Sequence, residues 1–376
     1  MIPDTKYELP IKVFDFFVGC GGATKGFEDA NLESVFAIDN NIHASKTFSL
    51  NFPETKFYNT PKFENPISKT TFLLSNIEDV PIKSIEPIIN NCKGSPILFA
   101  GCAPCQPFSQ QKTKHQDKDP RKGLLEYFRQ FVEYYQPEFI FVENVPGIQK
   151  VQIEDGGPFD SFIKTLNQLG YYFDCGVLQA QNYGVPQKRR RFILIASKLG
   201  EIKLPPATHG SGKNLLKYST PREWMGDLPP IIAGETHSSI PNHQAAKLTK
   251  INLDRISATP EGGDRMNWPQ ELKLVCHTNG YTGHTDVYGR IKWDELSSCL
   301  TTKCTSISNG RFGHPQQNRA ISAREAACLQ TFPRDFVFDG GVHVAGRQIG
   351  NAVPVLLAKR FGEHFNNHIN KYLHGE

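Results

Sequence analysis

Several things are missing from this chain, and each absence narrows what it can be. No run approaches the roughly 18 apolar residues that a membrane span needs. The opening MIPDTKYELP has no basic stretch leading into an apolar one. We therefore expect a soluble, cytoplasmic protein with no membrane partner. Metal-like spacing is scarce: of nine cysteines (20, 92, 102, 105, 175, 276, 299, 304 and 328), only Cys102 and Cys105 stand close enough, with no second pair and no His-x-x-x-His nearby. Zinc asks for about four ligands, so no metal is expected. The odd, scattered cysteines fit reduced thiols better than a disulfide framework. Strong net charge is absent too, at +4, so bulk electrostatics alone does not announce a polyanionic partner. There is no internal repeat and no low-complexity tract.

With 376 residues and 39% hydrophobic composition, the chain can bury a full core and holds one large domain plus a smaller one. Its first half alternates short apolar runs with longer amphipathic ones. Strand candidates are KVFDFFV (12 to 18), SVFAID (34 to 39), PILFAG (96 to 101), FIFVEN (139 to 144) and RFILIAS (191 to 197). GLLEYFRQFVEYY (123 to 135) and FDSFIKTLNQLG (159 to 170) have helical spacing, the second closed by Gly170. Strands rich in Val, Ile and Phe without clean alternation suit a parallel sheet buried on both faces. The expected fold is α/β, a doubly wound, mostly parallel sheet. After about residue 202 the texture turns to proline, glycine and short polar segments, which predicts a small irregular domain over 203–342. Residues 1–202 and 343–376 form the larger one.

Charge distribution says more than its sum. Residues 203 to 338 carry 16 basic against 12 acidic side chains, which accounts for the whole excess. KTKHQDKDPRK (112 to 122) and QKRRR (187 to 191) are basic as well. A solvated face explains any one of these; three together make polyanion binding worth pursuing.

FDFFVGCGGATKGF is a strand running into glycines and then a helix, which lets a ligand approach the backbone closely. Asp39 follows Gly19 by 20 residues at the end of the next strand, where a carboxylate can accept from ribose hydroxyls. The third glycine of a dinucleotide fingerprint would fall at position 24, which is Thr24. The loop thus favours an adenosine cofactor without a pyrophosphate and ranks a nicotinamide oxidoreductase last.

ILFAGCAPCQPFSQQ (97 to 111) raises three readings for Cys102-x-x-Cys105: a metal clip, a redox pair, or one reactive thiol. A metal lacks further ligands. A redox dithiol belongs at a helix N-terminus, whereas Pro104 and Pro107 indicate an irregular loop. The remaining reading is a single nucleophile, Cys105, just past a strand's C-terminal end, where open α/β sheets bind ligands.

Pro104-Cys105-Gln106 with Phe108-Ser109, then Glu143-Asn144-Val145, then Gln187-x-Arg189-x-Arg191, together with DFFVGCGG, resemble the DNA (cytosine-5) methyltransferases of bacterial type, in the family's order. The similarity continues into NRAISAREAACLQTFP (318 to 333) and RQIGNAVP (347 to 354). The resemblance implies S-adenosylmethionine as cofactor and double-stranded DNA as partner. It implies that Cys105 adds to C6 of cytosine and makes C5 nucleophilic, with Glu143 supplying a proton at N3. Arg189 and Arg191 match the arginines that position the base. Pro104, Gln106, Ser109, Asn144 and Gln187 fall in the motifs that surround it. For the cofactor, Phe17 matches the aromatic that packs on adenine, Gly19 and Gly21 the backbone approach, Asp39 the ribose ligand, and Asn351 and Val353 the C-terminal motif.

Three positions depart from the family pattern. Asn76, beside Ile77 in the cofactor motif, stands where an aspartate often reaches the adenine amino group. Asn40 replaces a larger residue, and Pro96 an acid. A target base must leave the duplex for this chemistry, which gives the basic stretch after Cys105 a purpose. Lys303 and Arg311, in the region where the family reads its target, are candidate DNA contacts as much as solvated surface. A cognate restriction endonuclease is a possible further partner, and the chain is expected to act as a monomer. Alternatives are a cytosine-5 RNA methyltransferase and a catalytically silent DNA-binding protein of the same fold.

Overall fold

A computed structural model describes residues 7–63, 69–103, 123–148, 157–275 and 286–375. The strands are β1 (Lys12–Phe16), β2 (Glu33–Asp39), β3 (Thr55–Tyr58), β4 (Thr70–Leu74), β5 (Ile97–Gly101), β6 (Phe139–Asn144), β7 (Tyr172–Gln179), β8 (Gln187–Lys188), β9 (Arg190–Ser197) and β10 (Ser297–Ser298). Eight of them form one sheet in the order β3-β4-β2-β1-β5-β6-β9-β7. Pairing is parallel from β3 through β6. β9 then runs antiparallel to both β6 and β7.

The central strands lie where the apolar runs predict them. β6 is buried at every residue and β1 at all but its first, as strands covered on both faces should be. β3, β4 and β7 have no counterpart among the sequence candidates. β7 is half exposed along its length, and β4 opens on two threonines, so neither shows a plain apolar run.

The helices are α1 (Gly22–Glu28), α2 (Ile42–Asn51), α3 (Glu86–Asn91), α4 (Leu124–Tyr135), α5 (Pro158–Gln168), α6 (Pro221–Met225), α7 (Lys250–Ser257), α8 (Ala323–Leu329), α9 (Val342–Asn351) and α10 (Val355–His374). α5 starts on a proline in its first turn, and Gly170 beyond its end takes φ 75°, as a C-terminal stop requires.

The chain divides into two compact units. The first comprises Met1–Gln179, Arg190–Pro206 and Leu357–Glu376; the second comprises Ala180–Arg189 and Ala207–Leu356. Phenylalanines dominate the first core. Phe16 sits 5.1 to 5.8 Å from Phe36, Phe99, Phe128 and Phe131, centroid to centroid. Across the sheet, Phe139 packs on Phe365 and Phe141 on Phe361, both at 5.2 Å, and the Asn366 amide donates to the Ala30 carbonyl at 2.6 Å.

Regular structure is sparse in the second unit, so its buried carbonyls need other donors. Arginines supply them. Arg290 donates to the carbonyls of Ile256, Thr259, His314 and Gln317, and Arg324 to those of Pro241, Pro333 and Phe336. Arg319 makes a two-pronged pair with Glu325 at 2.7 Å, both residues fully buried.

Residues 180–189 and 343–356, grouped with the larger domain on sequence grounds, fall in the second unit. The reason is pairing: β8 joins β10 in a short parallel bridge, and α9 packs on α8.

Candidate active site

The chain leaves β1 through Phe17, which adopts φ 64°, and Gly19 at φ 57°. A left-handed phenylalanine is strained, and such strain persists where surrounding structure imposes it. Gly19 donates its N–H to Asp39 Oδ2 at 2.8 Å, and Asn41 donates to Asp39 Oδ1 at 2.8 Å. These bonds hold the carboxylate at the end of β2, while burial pushes its proton affinity up. Gly19 has open space where a Cβ would stand; a Cβ on Gly21 would come 2.8 Å from the Phe52 ring. The first glycine keeps the surface clear, and the second lets α1 pack on α2.

Thr24 explains why the dinucleotide fingerprint is broken. Its hydroxyl donates at 2.7 Å to Asp15 Oδ2, and both residues are fully buried. Burial raises the Asp15 carboxyl to about 7, opposed by the Thr24 bond and helped by the charge of Asp39. Nothing in the sequence pattern marks this pair.

At the end of β4, beside β2, Ser75 donates its N–H to the Asp39 carbonyl at 3.1 Å. Next to it the Asn76 Oδ1 accepts from Asn40 Nδ2 at 2.7 Å, and Asn76 Nδ2 donates to Asp79 Oδ2 at 2.8 Å. Two of the departures from the family pattern are therefore bonded to each other. Ile77 is a core residue, 4% exposed.

At the ends of β5 and β6, Glu143 is buried and forms an ion pair with Arg191 at 2.8 Å. Strand register makes the pair: Glu143 lies opposite Ile193 of β9, and Arg191 is the diagonal neighbour on the same face. Asn144, fully buried, donates Nδ2 to the Ala103 carbonyl at 3.3 Å and accepts from the Val145 N–H at 2.9 Å. It thereby fixes the point at which the chain leaves β5. Cys102 is half-buried there. Pro104, Cys105, Gln106, Ser109 and the basic stretch 112 to 122 lie outside the described residues.

Where the chain passes from the second unit back into the first, burial alternates along QKRRR: Gln187 and Arg189 are buried, Lys188 and Arg190 exposed. Gln187 donates to the Leu329 carbonyl at 2.8 Å and to Gln330 Oε1 at 2.9 Å. Arg189 is 0% exposed and donates to the carbonyls of Leu300, Gly350 and Ala352 at 3.0 to 3.1 Å. Gln330 adds bonds to the Ile349 and Ala352 carbonyls. The structure thus occupies Gln187 and Arg189 inside the protein, where the sequence reading has them facing a base. Gln330, within the CLQTFP stretch, completes this knot and had no role assigned.

Gly350 answers the same packing: a Cβ there would lie 2.1 Å from the Thr301 carbonyl oxygen. Asn351 is exposed and Val353 buried at the end of α9. Arg311 likewise turns inward, donating to the carbonyls of Gly262 and Gly263 at 2.7 Å and pairing with Asp264 at 3.1 Å. Lys303 is exposed. Among the described residues no cluster of His, Cys, Asp and Glu could hold a metal, and no helix is long and apolar enough to cross a membrane.

Known proteins share this fold. The sequence pattern of the C-5 cytosine-specific DNA methylases matches residues 11–367. The chain is 36% identical to the type II methylase M.HgiDII of Herpetosiphon aurantiacus, over 92% of each chain. It is 31% identical to the type II methyltransferase M1.HphI of Haemophilus parahaemolyticus, over 95% of this chain and 87% of that one. A solved prophage-encoded DNA modification methyltransferase of E. coli superposes with a TM-score of 0.71 at 21% identity, covering 96% of this chain and all of that one. The chain belongs to the C-5 cytosine-specific DNA methylase family, and its activity is that of a DNA (cytosine-5-)-methyltransferase.

Proposed function

We propose that the first unit binds S-adenosylmethionine and methylates C5 of a cytosine taken out of duplex DNA, in the cytoplasm, while the second unit reads the flanking sequence. One observation carries the reading: Glu143 and Arg191 are paired at 2.8 Å and largely withdrawn from water at the ligand-binding end of the sheet. A buried ion pair contributes little that well-packed apolar side chains would not, so its place there argues for chemistry.

The residues present fit an adenosyl group. Asp39 presents a carboxylate at the end of β2 that can accept from ribose hydroxyls, Gly19 leaves the surface open, and Lys25 in α1 is paired with Asp29 rather than free to meet a pyrophosphate. When bound, S-adenosylmethionine supplies the electrophilic methyl group.

The protein's own part begins at Cys105, assigned from its motif. Its thiolate bonds to C6, and the ring electrons displaced toward N3 take a proton from the Glu143 carboxyl, which must take up that proton once the base is bound, with Arg191 in reach of its Oε1. C5 then accepts the methyl, and the pair from the broken S–CH3 bond stays on the sulfur of the departing S-adenosylhomocysteine. Loss of the C5 proton to a base restores the double bond, the C6–S bond breaks with its electrons returning to sulfur, and Glu143 recovers the N3 proton. Neither face of C5–C6 is open in a stacked duplex, so the base must be extruded first. The type II names of the relatives support a cognate endonuclease acting at the same site, and we take the working form to be a monomer.

Transfer of tritiated methyl groups to duplex DNA, followed by bisulfite sequencing of the product, tests this. Label in cytosine of duplex DNA, lost with Glu143→Gln, is the expected result. Label in RNA alone, or undiminished transfer by Glu143→Gln, would overturn it.

A further inference from the structure

We infer that Asp79 is a positioning residue that makes Asn76 read the 6-amino group of the cofactor's adenine; the inference rests on the proposed S-adenosylmethionine site. A carboxamide has two unlike ends. Its oxygen only accepts and its nitrogen only donates, so by itself it can turn to suit either a 6-amino or a 6-oxo purine. An aspartate at the same place could only accept.

Here the ambiguity is removed by neighbours. Asp79 Oδ2, an acceptor, stands 2.8 Å from Asn76 Nδ2, and Asn40 Nδ2, a donor, stands 2.7 Å from Asn76 Oδ1. Turning the amide over would face its oxygen against the Asp79 carboxylate and lose that bond; Asn40, a carboxamide, could turn with it, so Asp79 is the neighbour that fixes the orientation. Asn76 therefore presents its oxygen on the side of Asn40, with one lone pair still to use.

That side is the one a nucleoside would meet. The Gly19 loop leaves β1, Asp39 ends β2, and Asn76 follows β4, three adjacent strands in the sheet, with ligands expected at their carboxyl ends. Asn40 follows Asp39 directly and is bonded to Asn76, so the pair stands within reach of the base of a nucleoside whose ribose Asp39 holds. The chain thus obtains from three residues the acceptor that an aspartate would supply alone.

The test is calorimetric titration of the full chain with S-adenosylhomocysteine and with its 6-oxo counterpart, S-inosylhomocysteine. The ratio of the two affinities on one protein sample is insensitive to the fraction that is folded. The native chain should prefer the amino ligand by about tenfold or more, because a purine that cannot donate leaves the oxygen unmatched. Asp79→Asn should bring the ratio close to one, by weakening the amino ligand and improving the oxo ligand. Asn76→Asp combined with Asp79→Asn should restore the preference, since an aspartate needs no orienting partner. Asp79→Asn leaves an amide that can face Asn76 with either end, whereas Asp79→Ala removes the acceptor outright and gives the same ratio test. An unchanged ratio in Asp79→Ala, or a double variant without the preference, would overturn the inference while leaving the cofactor site standing. A native chain that binds neither ligand would instead sink the cofactor reading itself.

Discussion

Asn144 reaches from the end of β6 to the main chain leaving β5, its Nδ2 donating to the Ala103 carbonyl at 3.3 Å. The residue beside Glu143, the proposed proton donor, thus anchors the segment that leads to the proposed nucleophile. Asn144→Asp removes the donor and sets two acceptors against each other, at a cost of about 1 to 3 kcal/mol. We expect kcat for methyl transfer to fall roughly tenfold to a hundredfold, with S-adenosylhomocysteine affinity nearly unchanged. Steady-state rates and calorimetry on the same variant check both halves.

The Glu143–Arg191 pair should be asymmetric to mutation. Arg191→Met leaves a buried carboxylate alone and should cost about 3 to 5 kcal/mol, visible as a lowered urea midpoint. Glu143→Gln with Arg191→Met removes both charges and should recover part of that stability while remaining inactive. Equal stability of Arg191→Met and the native chain would contradict the pairing.

Asp15 makes stability depend on pH. Its ordinary value of 3.8 is raised to about 7 by burial. Below about pH 4 the carboxyl is neutral in both states. Between 4 and 7 the unfolded chain ionises while the folded one keeps its proton, so stability from this group falls as pH rises across that window and levels above it. The fall is about 4 kcal/mol at most. Asp15→Asn should flatten the urea-midpoint profile between pH 5 and 8, and Thr24→Val should steepen the loss, because the carboxylate then has no Thr24 donor. A profile indifferent to Asp15→Asn would show that another group is responsible.

A duplex carrying 5-fluorocytosine at the target cannot release its C5 substituent, so the enzyme should remain attached to DNA after methyl transfer. The shifted band on a denaturing gel should require S-adenosylmethionine, vanish with Cys105→Ser and persist with Cys102→Ser, since a serine hydroxyl is far less ionised. Loss with Cys102→Ser alone would reverse the assignment.

Arg189 is expected to act through architecture. Arg189→Lys keeps the charge but cannot span the carbonyls of Leu300, Gly350 and Ala352. Hydrogen exchange of residues 299–305 and 349–353 should quicken by about tenfold or more. Unaltered exchange there with lost activity would return Arg189 to the substrate.

How much of this was legible in the sequence follows from where each interaction closes. β1, β2, β5 and β6 could be read because burial on both faces demands runs dominated by apolar residues, Val, Ile and Phe above all. β7 could not, since a half-exposed edge strand has no such demand. Asp39 was legible because its partner, Gly19, belongs to the same local motif. The residue types of Gln187 and Arg189 stood out, yet their occupation did not, for the carbonyls they meet lie more than 100 residues away. Asn40 and Asn76 each looked like a separate defect. Only the fold, by pairing β2 with β4, brings them within 2.7 Å of each other.

Phe365 and Phe361, which cover Phe139 and Phe141 on the sheet, come from the far end of the chain. During synthesis, then, the first unit cannot bury that face until residues beyond 357 have left the ribosome, although its strands are complete by residue 197. A nascent chain spends the translation of the entire second unit with these phenylalanines waiting for their partners. Chaperone demand should be highest in that interval, and frameshifts after residue 356 should yield aggregates rather than a soluble, inactive first unit.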